Sequence, residues 1–193
     1  MGNTQNNAPD LEERFLEPEG WRWHSFTRPT QSGGRKIRFG SVFPKDSVPD
    51  AVVVCLPGLS EFSEKYYETA RTLLDKNIAF WTLDWFGQGG SDRYLKNRQK
   101  RHAVSFDEDV EDLRYFITEY VKHACVHPDV GRIPMAMLSH SMGETIGLTY
   151  HHNSPDMFKC SAVIALFLWL QAGKSIPAYA SLSLRCSLWS IGR

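Results

Sequence analysis

Hydrophobic and polar positions along the chain fall into blocks of different period. "GWRWHSFTRP" (residues 20–29) and "RKIRFGSVFP" (35–44) read as two strands joined by the turn signal "SGG". "AVVVCLPG" (51–58) is a continuous β-branched apolar run, the pattern of a strand buried on both faces of a parallel sheet. "IAFWTLD" (78–84) is a second run of that kind. Between them, "SEKYYETARTLLDKN" (63–77) places Tyr66, Ala70, Leu73 and Leu74 on one helical face, with Ser63 as N-cap and Asn77 as terminator. A glycine-rich, basic loop follows, from Phe86 to about His102.

The clearest helical pattern comes next. "SFDE" at 105–108 is a capping box, and Phe106, Val110, Leu113, Ile117, Tyr120 and Val121 recur at helical spacing. "RIPMAMLSH" (132–140) reads as a strand, "MGETIGLTYHH" (142–152) as a helix, and "KCSAVIALFLWL" (159–170) begins as another strand. The alternation predicts an α/β class: a mainly parallel sheet with flanking helices. Residues 1–10 are expected to be disordered, and 11–165 to form the domain. From Ser161 to Arg193 there is no Asp or Glu, although all 22 acids lie upstream, and neither period persists. Residues 166–193 therefore read as an atypical tail, as a frameshift would leave.

Composition narrows the function class. The 193 residues carry 22 basic and 22 acidic side chains, without the basic excess of a nucleic-acid binder. The N-terminus lacks the apolar core of a secretory signal. It begins Met-Gly, but Asn6 stands where myristoylation wants Ser or Thr. The longest apolar run, 162–170, is too short to span a bilayer. Cys55, Cys125, Cys160 and Cys186 form no CxxC pair and no zinc pattern. The expectation is a cytoplasmic protein with reduced thiols, and with neither metal nor cofactor.

One stretch carries chemistry. "MLSHSMGET" (137–145) has the form of a nucleophile elbow, a strand turning sharply into a helix with Ser141 at the turn. Ser139 and Gly143 supply the small residues the turn needs. The elbow places the Met142 amide at a helix N-terminus, facing an incoming oxyanion. A second donor is expected from the loop after the third strand, "CLPGLSEFSEKY", where the Leu59 amide is the candidate.

"LPGLSEFSEKY", "DWFGQGGSDR" and "LSHSMGE", in this order and at these intervals, resemble the α/β-hydrolase superfamily over residues 10–165. The closest group is the bacterial lysophospholipase and monoacylglycerol lipase-like enzymes, also catalogued with serine aminopeptidases. The resemblance implies a serine hydrolase of carboxylic esters. Its substrate would be a small-molecule or lipid ester, a role compatible with peripheral membrane contact. It also implies a loop-ordering role for Asp84. The sequence departs from the group at Pro57, where the lipases commonly carry His, at Leu59 and Phe86, where Arg is frequent, and at Glu144, where a second Gly is common.

The superfamily's triad order is Ser, then Asp or Glu, then His. Downstream of Ser141 the only acids are Glu144 and Asp156, and the only histidines are His151 and His152. These histidines lie ten and eleven residues along the expected helix, about 15–16 Å away, whereas a general base must come within about 3 Å. His140 is assigned a structural or pocket-wall role, and nothing in the sequence positions His102. The chain thus reads as the N-terminal portion of an α/β-hydrolase fold, lid and last strands absent, truncated or frameshifted, with little turnover. A catalytically inactive lipid- or protein-binding module stays open as the alternative.

Overall fold

The computed structural model describes residues 12–28, 35–97, 100–102 and 105–164; the expectations for residues 1–10 and for the tail from 166 lie outside them. The two N-terminal runs form an antiparallel pair, β1 (Arg22–Thr27) and β2 (Lys36–Val42). The apolar runs form β3 (Ala51–Leu56) and β4 (Ile78–Leu83), joined by α1 (Tyr67–Leu74). The capping-box segment forms α2 (Phe106–Phe116), which continues through a π turn (Ile117–Val121) into α3 (Lys122–Ala124). A hairpin of two-residue strands, β5 (Val126–His127) and β6 (Gly131–Arg132), precedes β7 (Met135–His140). Then come α4 (Met142–Asn153) and β8 (Cys160–Ile164).

The main sheet has the order β1-β2-β4-β3-β7-β8, with β4, β3, β7 and β8 mutually parallel. Strand alternation divides the core between its two faces. Val52, Val54, Leu56, Trp81, Leu83 and Met137 pack on one side with Leu113, Phe116, Ile117 and Ile146 from α2, its π turn and α4. Val53, Cys55 and Phe80 pack on the other with Tyr67 and Ala70 of α1. A fully buried Val or Leu of this kind contributes roughly 1.5–3 kcal/mol. β3 is thus anchored on both faces of the sheet, and the loop carrying Leu59 leaves its C-terminal end.

Two local expectations change and two hold. Ser63 does not cap α1: its N–H and its hydroxyl both donate to Asp84 Oδ1 at 2.8 Å, and a 3-10 turn (Ser63–Tyr66) precedes the helix. A buried carboxylate 21 positions away outcompetes the local cap. Asn77 does end the α1 segment, at a left-handed φ of 57°. Ser105 does cap α2, accepting from the Asp107 N–H at 3.1 Å. Phe106, counted in that helix's apolar stripe, is exposed, while Phe116 is buried. The π turn inserts one residue per turn and rotates the face, so that Phe116, Ile117 and Val121 all reach the core.

Candidate active site

The register of the sheet delivers the elbow. β7 ends at His140, α4 begins at Met142, and Ser141 alone makes the turn, with φ 50° and ψ −118°. An L-residue is strained there, and such strain is concentrated at functional sites. The Ser141 N–H donates to the Ile164 carbonyl of β8 at 3.1 Å, and its carbonyl accepts from the Glu144 N–H at 3.0 Å. The Ser141 backbone is thus tied to the neighbouring strand on one side and to the helix on the other.

Small residues make this turn sterically feasible. A Cβ on Gly143 would strike the backbone carbonyls of Leu56 and Pro57, and one on Gly147 would meet Met137 Sδ and the Leu56 side chain. Ser139, in the place of the more usual glycine, is buried and fits.

The two oxyanion candidates follow paired strand positions. Leu56 of β3 pairs with Ser139 of β7, so Leu59 and Met142 each lie three residues beyond the same pair. The Gly58 backbone rests against the elbow, since a Cβ there would meet His140 Nδ1 at 2.8 Å and the His140 carbonyl oxygen at 3.3 Å. Neither the Leu59 nor the Met142 amide has an acceptor among the described residues. Met142 opens a 12-residue helix, whose dipole favours negative charge at that end.

Side chains that sequence reading passed over hold the Leu59 turn. The Glu61 carboxylate accepts from the Gly58 N–H (2.5 Å), Tyr66 Oη (2.7 Å) and Lys65 Nζ (2.6 Å), and lies 2.9 Å from His140 Nδ1. Burial alone would raise this carboxyl, but the bonds from Lys65, Tyr66, Gly58 and His140 prevail and hold it at about 2. Gln88 Nε2 donates to the carbonyls of Gly58 (3.0 Å) and Glu61 (3.2 Å), while Gln88 Oε1 accepts from the Ser60 N–H (2.9 Å). Trp85 Nε1 donates to the Pro57 carbonyl at 2.7 Å. Asp84, fully buried, takes Ser63 as above, the Gly90 N–H at 2.8 Å and the Arg38 guanidinium. The "DWFGQGG" loop is therefore a cradle for the "PGLSEFS" loop. Asp84 orders loops, as expected, and is committed to that task.

The remaining titratable candidates are dispersed. His140 pairs with Glu61. His102 stands edge-on to the Tyr94 ring, and His151 packs on Phe158 at the far end of α4. Glu144 is buried on the first turn of α4. Arg101 grips both oxygens of Asp109 (2.6 and 2.7 Å) and touches Met142 Sδ. Arg28 pairs with Asp112 and Glu108 and lies over the Phe86 ring. Burial and the neighbouring Asp109 and Glu108 carboxylates outweigh Arg28 and push Asp112 up to about 7. No described side chain hydrogen-bonds Ser141 Oγ, so the described residues offer this candidate nucleophile no bonded base.

Sheet order, elbow and loop cradle together define an α/β hydrolase. More particularly, the family of serine aminopeptidases (S33) matches residues 47–192, and the chain belongs to it. The match continues across the stretch that composition set apart. Lysophospholipase L2 of Escherichia coli (strain K12) is 32% identical over 114 residues, 59% of this chain and 31% of that protein. Among solved structures, a thermostable carboxyl esterase from Bacillus coagulans, in complex with glycerol, superposes with a TM-score of 0.61 at 18% identity. It covers 76% of this chain and 44% of its own. An α/β hydrolase from Novosphingobium aromaticivorans gives 0.56 at 17%, covering 74% and 43%. The chain spans about a third of the length of the curated relatives it matches. No helix among the described residues is long and apolar enough to cross a membrane.

Proposed function

We propose that the protein carries the nucleophile and oxyanion half of a serine hydrolase for carboxylic esters, of the lysophospholipase or monoacylglycerol lipase type. The observation that carries this reading is Ser141 alone on a strained strand-to-helix turn, with the Leu59 and Met142 amides lacking acceptors among the described residues. In the reaction, Ser141 Oγ attacks the ester carbonyl and its proton passes to a base. The carbonyl oxygen becomes an oxyanion held by the Leu59 and Met142 amides. The alcohol leaves with a proton, and water then releases the acid and regenerates Ser141. The similarity to lysophospholipase L2 supports a lipid ester as substrate.

A serine without a bonded base is a weak nucleophile, and serine hydrolases stripped of triad members retain only residual catalysis. The 193-residue chain is therefore proposed to turn over slowly. The second reading, an inactive module that binds lipid or protein, is favoured by the missing base among the described residues and by the exposed Val163 and Ile164 of β8. Fatty-acid release from a lysophospholipid and a monoacylglycerol separates the two. Slow release that is lost in Ser141→Ala supports the hydrolase. Saturable lipid binding with no Ser141-dependent release establishes the module.

A further inference from the structure

The turn carrying the Leu59 amide has little internal support. Its one internal backbone bond, Glu61 N–H to the Gly58 carbonyl, is long at 3.4 Å, and Ser60 sits at a left-handed φ of 60°. Leu59 is about half exposed, so apolar packing does not fix it either. What fixes the turn is side-chain amide chemistry from outside. Gln88, itself buried, reaches three backbone groups within four residues: it donates to the carbonyls of Gly58 and Glu61 and accepts from the Ser60 N–H. Only a primary amide supplies donors and an acceptor from one planar head in this way. Glu61 closes the other side, binding the Gly58 N–H and His140, the residue directly before the nucleophile.

We infer that Gln88, together with Glu61, is a positioning residue that aims the Leu59 amide at the oxyanion site and couples that turn to the elbow. The inference rests on the reading of Ser141 as nucleophile. Gln88 touches no reacting atom and acts through the turn alone. Changing Gln88 to Glu keeps size and the acceptor for Ser60, but sets carboxylate oxygens against the Gly58 and Glu61 carbonyls. Changing it to Ala removes all three bonds.

The experiment compares the wild-type chain with Gln88→Glu, Gln88→Ala and Val121→Ala, the last a core variant remote from the site. Each is exposed to a fluorophosphonate far below its Tm. Ser141 adduct formation is followed by intact mass over hours, and amide hydrogen exchange is read across residues 58–61. The inference expects both Gln88 variants to speed exchange at the turn and to slow Ser141 phosphonylation by about tenfold or more, since loss of one oxyanion donor costs about 10²–10³. Val121→Ala should lower Tm without slowing labelling of the folded protein. Unchanged exchange in Gln88→Ala, or faster exchange with an unchanged labelling rate, overturns the inference while Ser141 stands as nucleophile. A wild-type chain that forms no Ser141 adduct refutes the nucleophile reading itself, and the inference falls with it.

Discussion

Replacing Ser141 by glycine should stabilise the protein while abolishing its chemistry. At φ 50° and ψ −118°, the serine occupies a region that glycine enters freely and other residues enter at a cost of about 1–3 kcal/mol. Glycine gives back about 0.5–1 kcal/mol through the greater freedom of the unfolded chain. The Ser141 hydroxyl has no partner among the described residues, so its removal orphans no buried group. The net expectation is a gain of roughly 0.5–2 kcal/mol, or about 1–8 °C in Tm for a chain of this size. Ser141→Ala is the control, because it deletes the hydroxyl but keeps Cβ and hence the strain. It should lie within about 0.5 kcal/mol of wild type. Urea unfolding followed by tryptophan fluorescence gives both differences as shifts in midpoint at constant slope. If glycine proves no more stable than alanine, Ser141 is not held in a strained turn, and the elbow geometry is wrong.

Two further outcomes follow from the same region. Gly143→Ala drives a methyl into the Leu56 and Pro57 carbonyls, which are backbone and cannot swing aside, and should cost about 3 kcal/mol or more, whereas Gly131→Ala, with open space around it, should cost only about 1 kcal/mol for its φ of 75°. Comparing the two midpoints tests whether close helix–strand contact, rather than glycine content, is what the elbow needs. Glu61, held at about 2 against an ordinary 4.5, binds fewer protons in the folded than in the unfolded state between those values, so its contribution of about 2–3 kcal/mol is present above pH 4.5 and lost as pH falls towards 2. The stability difference between wild type and Glu61→Gln should therefore shrink across that window, and a constant difference would show that the carboxylate is not held by its four partners.

Where the fold depends on local period, the sequence reveals it. The doubly buried runs at 51–58 and 78–84 are β3 and β4, Ser105 caps α2 while Glu108 turns instead to Arg28, and the elbow sits between a strand and a helix. What escapes is long-range polar chemistry. Ser63 looks like a cap because its local surroundings are those of a cap, and only the folded chain brings Asp84 to it. Asp109 and Asp112 are buried in α2, paired with Arg101 and Arg28, and no periodicity singles them out. The Arg28–Asp112 partners are 84 residues apart, beyond any spacing rule. Gln88 and Glu61 fall inside two of the three motifs that mark the family resemblance, but their bonds to the Leu59 turn depend on how two loops meet. A polar residue among glycines in such a loop was the available signal.

Ser141 is proposed as the reacting group, and a covalent adduct tests that role most directly. After prolonged exposure to an alkyl fluorophosphonate, peptide mass spectrometry should find one slowly formed adduct, on Ser141, that Ser141→Ala eliminates. An adduct on another residue, undiminished in Ser141→Ala, would contradict the nucleophile assignment. Labelling as rapid as that of a hydrolase with a complete triad would contradict the proposal that Ser141 reacts without an activating base.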